Sequence, residues 1–353
     1  MNQRTVSEES KTSTQQSART AGESLNVFAT VPRDLVAPLR RELERLGAGD
    51  LRAGTAGVRF RAPLEVAYRV CLWSRFASRV LLPLASFATP DAEALYRGVR
   101  GIDWRAHVAA DGSLAVDFVA SRSRIEHARF GAQTVKDAIV DQLRERSGTR
   151  PSVATRRPDV RINAHLDRDV ATIAIDLAGE SLHRRGLRRD GGPAPLKENV
   201  AAAVLDFAGW PRMAAAGRPF IDPMCGSATL LIEAALMAAD VAPGLEREYF
   251  GLEGWLGHDR TLWQALLEEA RSRRRDGFAR LPPMAGYDAD PRAIAAARAN
   301  LTSAGLEDRI EVASRPIAAL ASPCPEQCGL LACNPPYGNR LSAGRGLDQL
   351  YAD

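Results

Sequence analysis

The chain has 353 residues, of which 45% are apolar and 25% charged, and its formal net charge is +4. That length suits two or three domains, and the composition excludes a disordered, fibrous or collagen-like chain. No apolar run approaches the ~18 residues that a membrane-spanning helix needs. So small a positive excess fits a bland basic surface as well as a nucleic-acid partner, and the distribution of charge has to decide.

Residues 1–24 are rich in Ser, Thr and Gln and hold no aromatic residue. They bury too little to order themselves and read as a disordered tail. A first ordered block, 25–91, reads as a small α+β unit. "LNVFATV" is a strand, and "PRDLVAPLRRELERLGA" is an amphipathic helix with Leu35, Leu39, Leu43 and Leu46 on one face. "GVRFRA" alternates as a second strand, and "LEVAYRVCLWSRFASRVLLPL" runs from a helix into a strand.

A second block, 92–185, opens with the strand "SLAVDFVA". The helix "RFGAQTVKDAIVDQLRERSG" follows, with apolar Val135, Ile139 and Leu143 and a closing Gly148. "DVRINAHL" and "VATIAIDLAG" alternate as two strands around a turn at Asp167, Arg168 and Asp169. Four arginines and a histidine then fall within the seven residues from His183 to Arg189. Taken alone, this run is equally a solvated linker or a phosphate-contacting loop.

The third block, 186–353, has another rhythm. "RPFID", "PMAGYDAD", "RIEVAS" and "GLLAC" read as strands separated by the helices "SATLLIEAALMAA" and "PRAIAAARANLTSAG". Strands alternating with helices imply a parallel, doubly wound sheet whose ligands bind at the carboxyl ends of its strands. Four strands after Phe220 make a small domain of this kind, and the chain stops in what reads as a new helix. A C-terminally truncated domain is the expectation.

Three turns at strand ends carry chemistry. In "FIDPMCGSATLL", Asp222 closes a strand and Gly226 opens a turn into a helix, where backbone N–H groups can approach a ligand. A tight structural turn explains the same residues. In "AGYDADPRAIAAARAN", Asp288 ends a strand and can accept from ribose hydroxyls, while Asp290 before Pro291 reads as a helix cap. In "LLACNPPYG", Pro335 and Pro336 fix the backbone, so that Asn334 and the Pro335 carbonyl become rigid acceptors beside the flat face of Tyr337. That set suits the amino group of a planar base.

The five cysteines are odd in number and irregularly spaced, which fits reduced thiols in the cytoplasm. Cys324 and Cys328 have no histidine near them, and no metal site is expected.

The order of these three turns resembles the class I S-adenosylmethionine-dependent methyltransferases, and N-P-P-Y resembles their branch acting on exocyclic or amide nitrogens. "RFGAQTVKDAIVDQLRER", "PDVRINAHL", "SLHRRGLR" and "APLKENVAAAVL" are similar to the bacterial THUMP-containing 23S rRNA guanine-N2 methyltransferases of the RlmL type. The resemblance runs from about Leu25 to the end of the chain. It implies an α/β protein: a Rossmann-like methyltransferase domain preceded by a ferredoxin-like unit and a THUMP RNA-binding domain. By resemblance, Asp222, Cys225, Gly226 and Ser227 border the methionine part of S-adenosylmethionine, Asp288 binds its ribose, and Lys197 helps frame it. Asn334, Pro335 and Tyr337 hold the guanine. Arg184, Arg185, Arg188, Arg189 and Lys136 contact RNA, namely 23S rRNA before the subunit is fully assembled.

Two positions depart from the family pattern. Ala228 stands where the family usually has Gly, and suits the turn only with a negative φ. Pro316 stands where the family tends to have an Asp that accepts from the adenine amine. A tRNA guanine-N2 methyltransferase and a non-catalytic RNA-binding or assembly factor are the alternative readings.

Overall fold

A computed structural model describes residues 24–187, 196–320 and 328–335. The tail at 1–23, Arg188 and Arg189, Cys324, and Pro336 and Tyr337 lie outside the described residues.

The N-terminal half is built on one eight-stranded sheet. Its elements in chain order are β1 (Leu25–Thr30), α1 (Val36–Arg45), β2 (Gly49–Ala53), β3 (Gly57–Ala62), α2 (Leu64–Trp73), β4 (Arg79–Ala88), α3 (Ala92–Arg100), β5 (Ser113–Ser121), α4 (Ala128–Ser147), β6 (Ser152–Val153), β7 (Val160–Asp167) and β8 (Val170–Asp176). The spatial order is β2-β3-β1-β4-β8-β7-β5-β6. The first and second blocks therefore share a single sheet, joined where β4 pairs antiparallel with β8. Alternation explains the strands. In β7 every second residue (Val160, Ile162, Ala164, Leu166) is buried. The β7–β8 turn places Arg168 at φ 50° and Asp169 at φ 55°, the positive pair of a type I′ hairpin. Gly148 caps α4 in the left-handed conformation, as its sequence position implies.

The C-terminal half carries α5 (Glu198–Phe207), α6 (Trp210–Ala215), β9 (Phe220–Asp222), α7 (Thr229–Ala238), α8 (Arg260–Phe278), β10 (Met284–Asp288), α9 (Pro291–Ala304), β11 (Glu311–Ser314) and β12 (Leu330–Leu331). These strands form a parallel sheet of order β11-β10-β9-β12. Chain order reverses between β9 and β12, which makes that edge the topological switch point where doubly wound sheets bind ligands. Asp290 caps α9 by accepting from Arg292 N at 2.8 Å, with Pro291 in the first turn.

The segment between α7 and β10 is long because it serves the other half of the molecule. Phe250, Leu252, Trp255, Trp263, Leu266 and Ala270 belong to the hydrophobic core of the N-terminal sheet. Trp263 meets the ring of Tyr68 edge-on at 5.6 Å and that of Phe250 at 5.0 Å. Arg69 of α2 grips Glu269 of α8 with two hydrogen bonds of 2.8 and 2.7 Å. At the far end of α8, a Cβ on Gly277 would come within 1.7 Å of the Ala239 carbonyl oxygen, so only glycine lets the helix pack so closely on the end of α7.

Candidate active site

The parallel sheet brings three sequence-predicted residues to one edge. Asp222 ends β9, Asp288 ends β10, and Asn334 follows β12 by three residues. Ladder contacts set their level: Asp222 pairs with Gly286, two residues before Asp288, and Leu331 with Ile221. Ala332 N donates to the Ile221 carbonyl at 3.1 Å, so the Cys333–Asn334–Pro335 stretch leaves the sheet beside Asp222. The charge of Asp222 indeed reaches the Cys333 thiol; with burial as the larger cause, it raises that thiol's pKa.

The turn after β9 is tied to β10. Cys225 N donates to the Tyr287 carbonyl at 2.8 Å, and Gly226 N donates to Asp288 Oδ2 at 3.0 Å. Asp288 Oδ1 accepts from Asp290 N at 2.9 Å. Two backbone donors thus fix the Asp288 carboxylate while lone pairs on both oxygens stay available. Asn300 of α9 donates to the Ser227 carbonyl at 3.0 Å and holds the turn from below. A Cβ on Gly226, at φ 51°, would meet no atom within 4 Å, so the loop faces open space at the start of α7. An open loop at a helix N-terminus presents N–H groups to a ligand.

Asp222 is 1% exposed. Its pKa is raised to about 7: burial is the main cause, the Met224 N–H bond at 3.1 Å works against it, and the nearby Asp288 charge adds to it. Burial likewise raises the Cys225 thiol, with Asp222 and Asp288 adding to the effect. An acid so placed is only partly ionised at neutral pH, and a cation brought beside it favours the ionised form. The pair of acceptors therefore fits an aminoacyl ammonium at Asp222 and a vicinal diol at Asp288.

Ala228 departs from its expected backbone. It takes φ 66° and ψ 26°, the left-handed conformation that suits glycine, rather than a negative φ. The turn geometry requires this: Ala228 N donates to the Cys225 carbonyl at 2.7 Å, and its own carbonyl accepts the Ile232 N–H of α7. The side chain is fully buried. In Ala228→Gly, relief of about 1–2 kcal/mol of left-handed strain is offset by about 0.8 kcal/mol of lost methyl burial and a freer unfolded chain. A net change below about 1 kcal/mol is expected. Ala228→Val combines a β-branch in this region with overpacking and is expected to cost about 2–4 kcal/mol. Urea midpoints of the two variants check this, and equal losses would show that strain does not govern the position.

The predicted RNA contacts divide. Arg184 is exposed and lies 3.8 Å from Glu180. Lys136 is half-buried on α4, 3.0 Å from Asp137. Arg185 is corrected: it is 2% exposed and faces inward. Its Nε and Nη2 donate to the buried Glu233 of α7 at 2.6 and 3.2 Å, and Nη2 also reaches the Arg75 carbonyl at 3.0 Å. A side chain so enclosed has no surface for a phosphate. The linker around it is held as well: Arg247 donates to the carbonyls of Ser181 and Arg184 at 3.0 and 2.6 Å. Lys197 is exposed and begins α5 through its carbonyl, which accepts from Val200 and Ala201. Pro316 lies two residues beyond β11, and the adjacent Arg315 N donates to the Asp288 carbonyl at 3.0 Å. Sequence reading missed Glu233 and Arg75, whose role depends on partners far away in the chain.

Comparison with known proteins agrees with this architecture. Residues 26–81 match the RlmL ferredoxin-like domain, 90–176 the THUMP domain, and 185–353 the RMKL-like methyltransferase domain. The chain is 57% identical over 326 residues to the ribosomal RNA large subunit methyltransferase K/L of Methylococcus capsulatus, covering 92% of this chain and 44% of that protein. It is 51% identical to the protein of the same name from Pseudomonas aeruginosa, covering 92% and 45%. The chain thus spans slightly less than half the length of these relatives. Among solved structures, a Listeria monocytogenes protein named as a predicted N6-adenine-specific DNA methylase superposes with TM-score 0.81 at 31% identity, covering 93% of this chain and 84% of that one. SMU.472, a putative methyltransferase complexed with SAH, superposes with TM-score 0.80 at 30% identity and the same coverage. The chain belongs to the family that joins an RlmL ferredoxin-like domain and a THUMP domain to an RMKL-like methyltransferase domain.

Proposed function

We propose that the chain transfers a methyl group from S-adenosylmethionine to the exocyclic N2 amine of a guanine in 23S rRNA. One observation carries this reading: Asp222, Asp288 and Asn334 stand at the carboxyl ends of three neighbouring parallel strands, at the switch point of the sheet. When bound, the cofactor supplies an electrophilic methyl group on a sulfonium. Asp222 would face its ammonium, the Gly226 turn would admit its chain, and Asp288 would accept from its ribose. Asn334 Oδ1 and the Pro335 carbonyl accept the two hydrogens of the base amine. They orient the nitrogen lone pair and stabilise the positive charge that grows on it. Alignment does the rest, and no strong base is needed, because the methylated ammonium loses its proton readily. The base must be unpaired or flipped to reach this edge.

Rigid paired acceptors would suit adenine N6 as well, the specificity for which the Listeria neighbour is named. The THUMP match and the rRNA methyltransferase names of the relatives favour RNA, and the RlmL-type sequence resemblance favours guanine. Incubation with undermethylated rRNA and methyl-labelled cofactor, followed by mapping, is expected to place the label on a guanine N2. Label on adenine N6, or on tRNA alone, would overturn the reading.

Asp222 gives the site a pH signature. Its carboxyl titrates near 7 in the fold against about 3.8 in an unfolded chain. The folded state therefore holds the proton more tightly, and ligand-free stability declines as pH rises from about 4 to 7, then levels off. A bound ammonium favours the ionised form, so cofactor affinity is expected to rise about fivefold between pH 6 and 7.5 as the ionised fraction grows, above which deprotonation of the cofactor's own α-ammonium opposes the trend. Calorimetry across that range checks it, and Asp222→Asn should flatten the profile.

A further inference from the structure

On the C-terminal half, away from the candidate active site, lies an open cavity of about 470 Å³ lined by Arg271, Arg274, Arg275, Phe278, Gly305 and Arg309. Four of its six lining residues are arginines. Arg271, Arg274 and Arg275 follow i, i+3, i+4 spacing on α8, so they share one helix face. Arg309 approaches from the turn between α9 and β11.

Two of these guanidiniums are held in place. Arg274 and Arg309 lie over the ring of Phe278, at 5.1 and 5.4 Å from its centroid. Arg274 Nη2 donates to the Ala304 carbonyl at 3.2 Å, and Arg309 Nη1 to the Phe278 carbonyl at 2.9 Å. Among the described residues, two acids lie within salt-bridge distance of these four arginines. Glu246 pairs with Arg274, and a single Glu268 faces both Arg271 and Arg275 at 3.7 and 3.3 Å. Among the described residues no carboxylate lies within salt-bridge distance of Arg309. Charge therefore remains unneutralised around a concave, preorganised surface, and planar guanidinium forks suit bidentate contact with phosphate.

We propose that this cavity is a second RNA-contacting site that grips the phosphate backbone of substrate RNA flanking the target base. It stands near the amino-terminal ends of β10 and β11, whereas Asp288 and Asn334 stand at the carboxyl edge. The 14-residue helix α9 spans the gap, about 21 Å at 1.5 Å per residue. A nucleic acid engaging both must be longer than the target loop alone. The inference builds on the rRNA reading above.

The test is Arg271→Gln combined with Arg275→Gln. Both side chains are exposed, and among the described residues each pairs with Glu268 alone. Arg309→Gln serves as a separate variant. RNA affinity, its salt dependence and methyl transfer are measured on a long rRNA fragment and on a short hairpin holding only the target. For the long fragment, the double variant is expected to weaken binding at least tenfold and to lower the salt slope by about 1.5, since each phosphate contact contributes about 0.7–0.9. KM rises while kcat holds, and the hairpin is unaffected. Unchanged slope and KM with intact methyl transfer by the parent chain would overturn the second site and leave the rRNA reading standing. Absence of RNA methylation by the parent chain would overturn that reading first. A change of oligomeric state in sedimentation, with RNA affinity intact, would assign the cavity to a protein interface and overturn the proposal.

Discussion

Asn334→Ala is expected to lower kcat by about 10²–10³ while cofactor affinity is unchanged. The separation follows from the sheet. The residues proposed to face the cofactor lie on β9 and β10 and in the turn after β9, which is tied to β10 by the Cys225–Tyr287 and Gly226–Asp288 bonds. Asn334 hangs from β12, which among the described residues pairs with the sheet through β9 alone. Deleting its side chain removes an acceptor that strengthens as charge develops on the amine, and disturbs no bond in the cofactor turn. Asn334→Asp retains an acceptor and should keep more activity than Ala. Single-turnover methylation alongside cofactor titration resolves the two effects. Near-normal turnover in Asn334→Ala would remove the transition-state role.

Features written in short segments were legible in the sequence. Prolines and an Asn after an apolar run marked the end of β12, Asp290 with Pro291 marked the start of α9, and Gly148 marked the end of α4. Each follows from constraints acting over a few residues. Long-range contacts were not legible. That β4 and β8 fuse two blocks into one sheet is a pairing across roughly ninety residues, and nothing local encodes it. Nothing local marks the partner of the segment between α7 and β10, yet its Trp263 and Phe250 complete the core beneath Tyr68. Ala228 misled for the opposite reason: the turn's hydrogen bonds impose a conformation that alanine alone would avoid. The arginines of α8 sat in a charged helix whose spacing could have exposed them, but Arg309 reaches them only through the fold.

Arg185→Ala is expected to destabilise the protein by about 3–5 kcal/mol, because it leaves Glu233 charged, buried and without its main partner. In a molecule of this size that corresponds to a fall in Tm of about 10 °C. The geometry sets the magnitude. Glu233, 1% exposed, sits on α7 one turn beyond the cofactor loop, and Arg185 also donates to the carbonyls of Ser74 and Arg75 from the N-terminal half. Arg75 in turn donates to the carbonyls of Leu236 and Val241 at the end of α7. The pair therefore welds the N-terminal unit to the helix that carries the cofactor turn. Arg185→Lys keeps the charge but loses the fork and should fall between the parent and Ala. Arg185→Met with Glu233→Leu removes both charges and should recover much of the loss, since the cost comes chiefly from the uncompensated carboxylate. Thermal unfolding of the parent, Arg185→Met, Glu233→Leu and the double variant measures the coupling directly. Additive losses in the double variant would show that the two side chains act independently. The salt slope of RNA binding separates this role from the surface one: it should fall in Arg184→Ala and hold in Arg185→Lys, because only the former side chain is exposed to a phosphate.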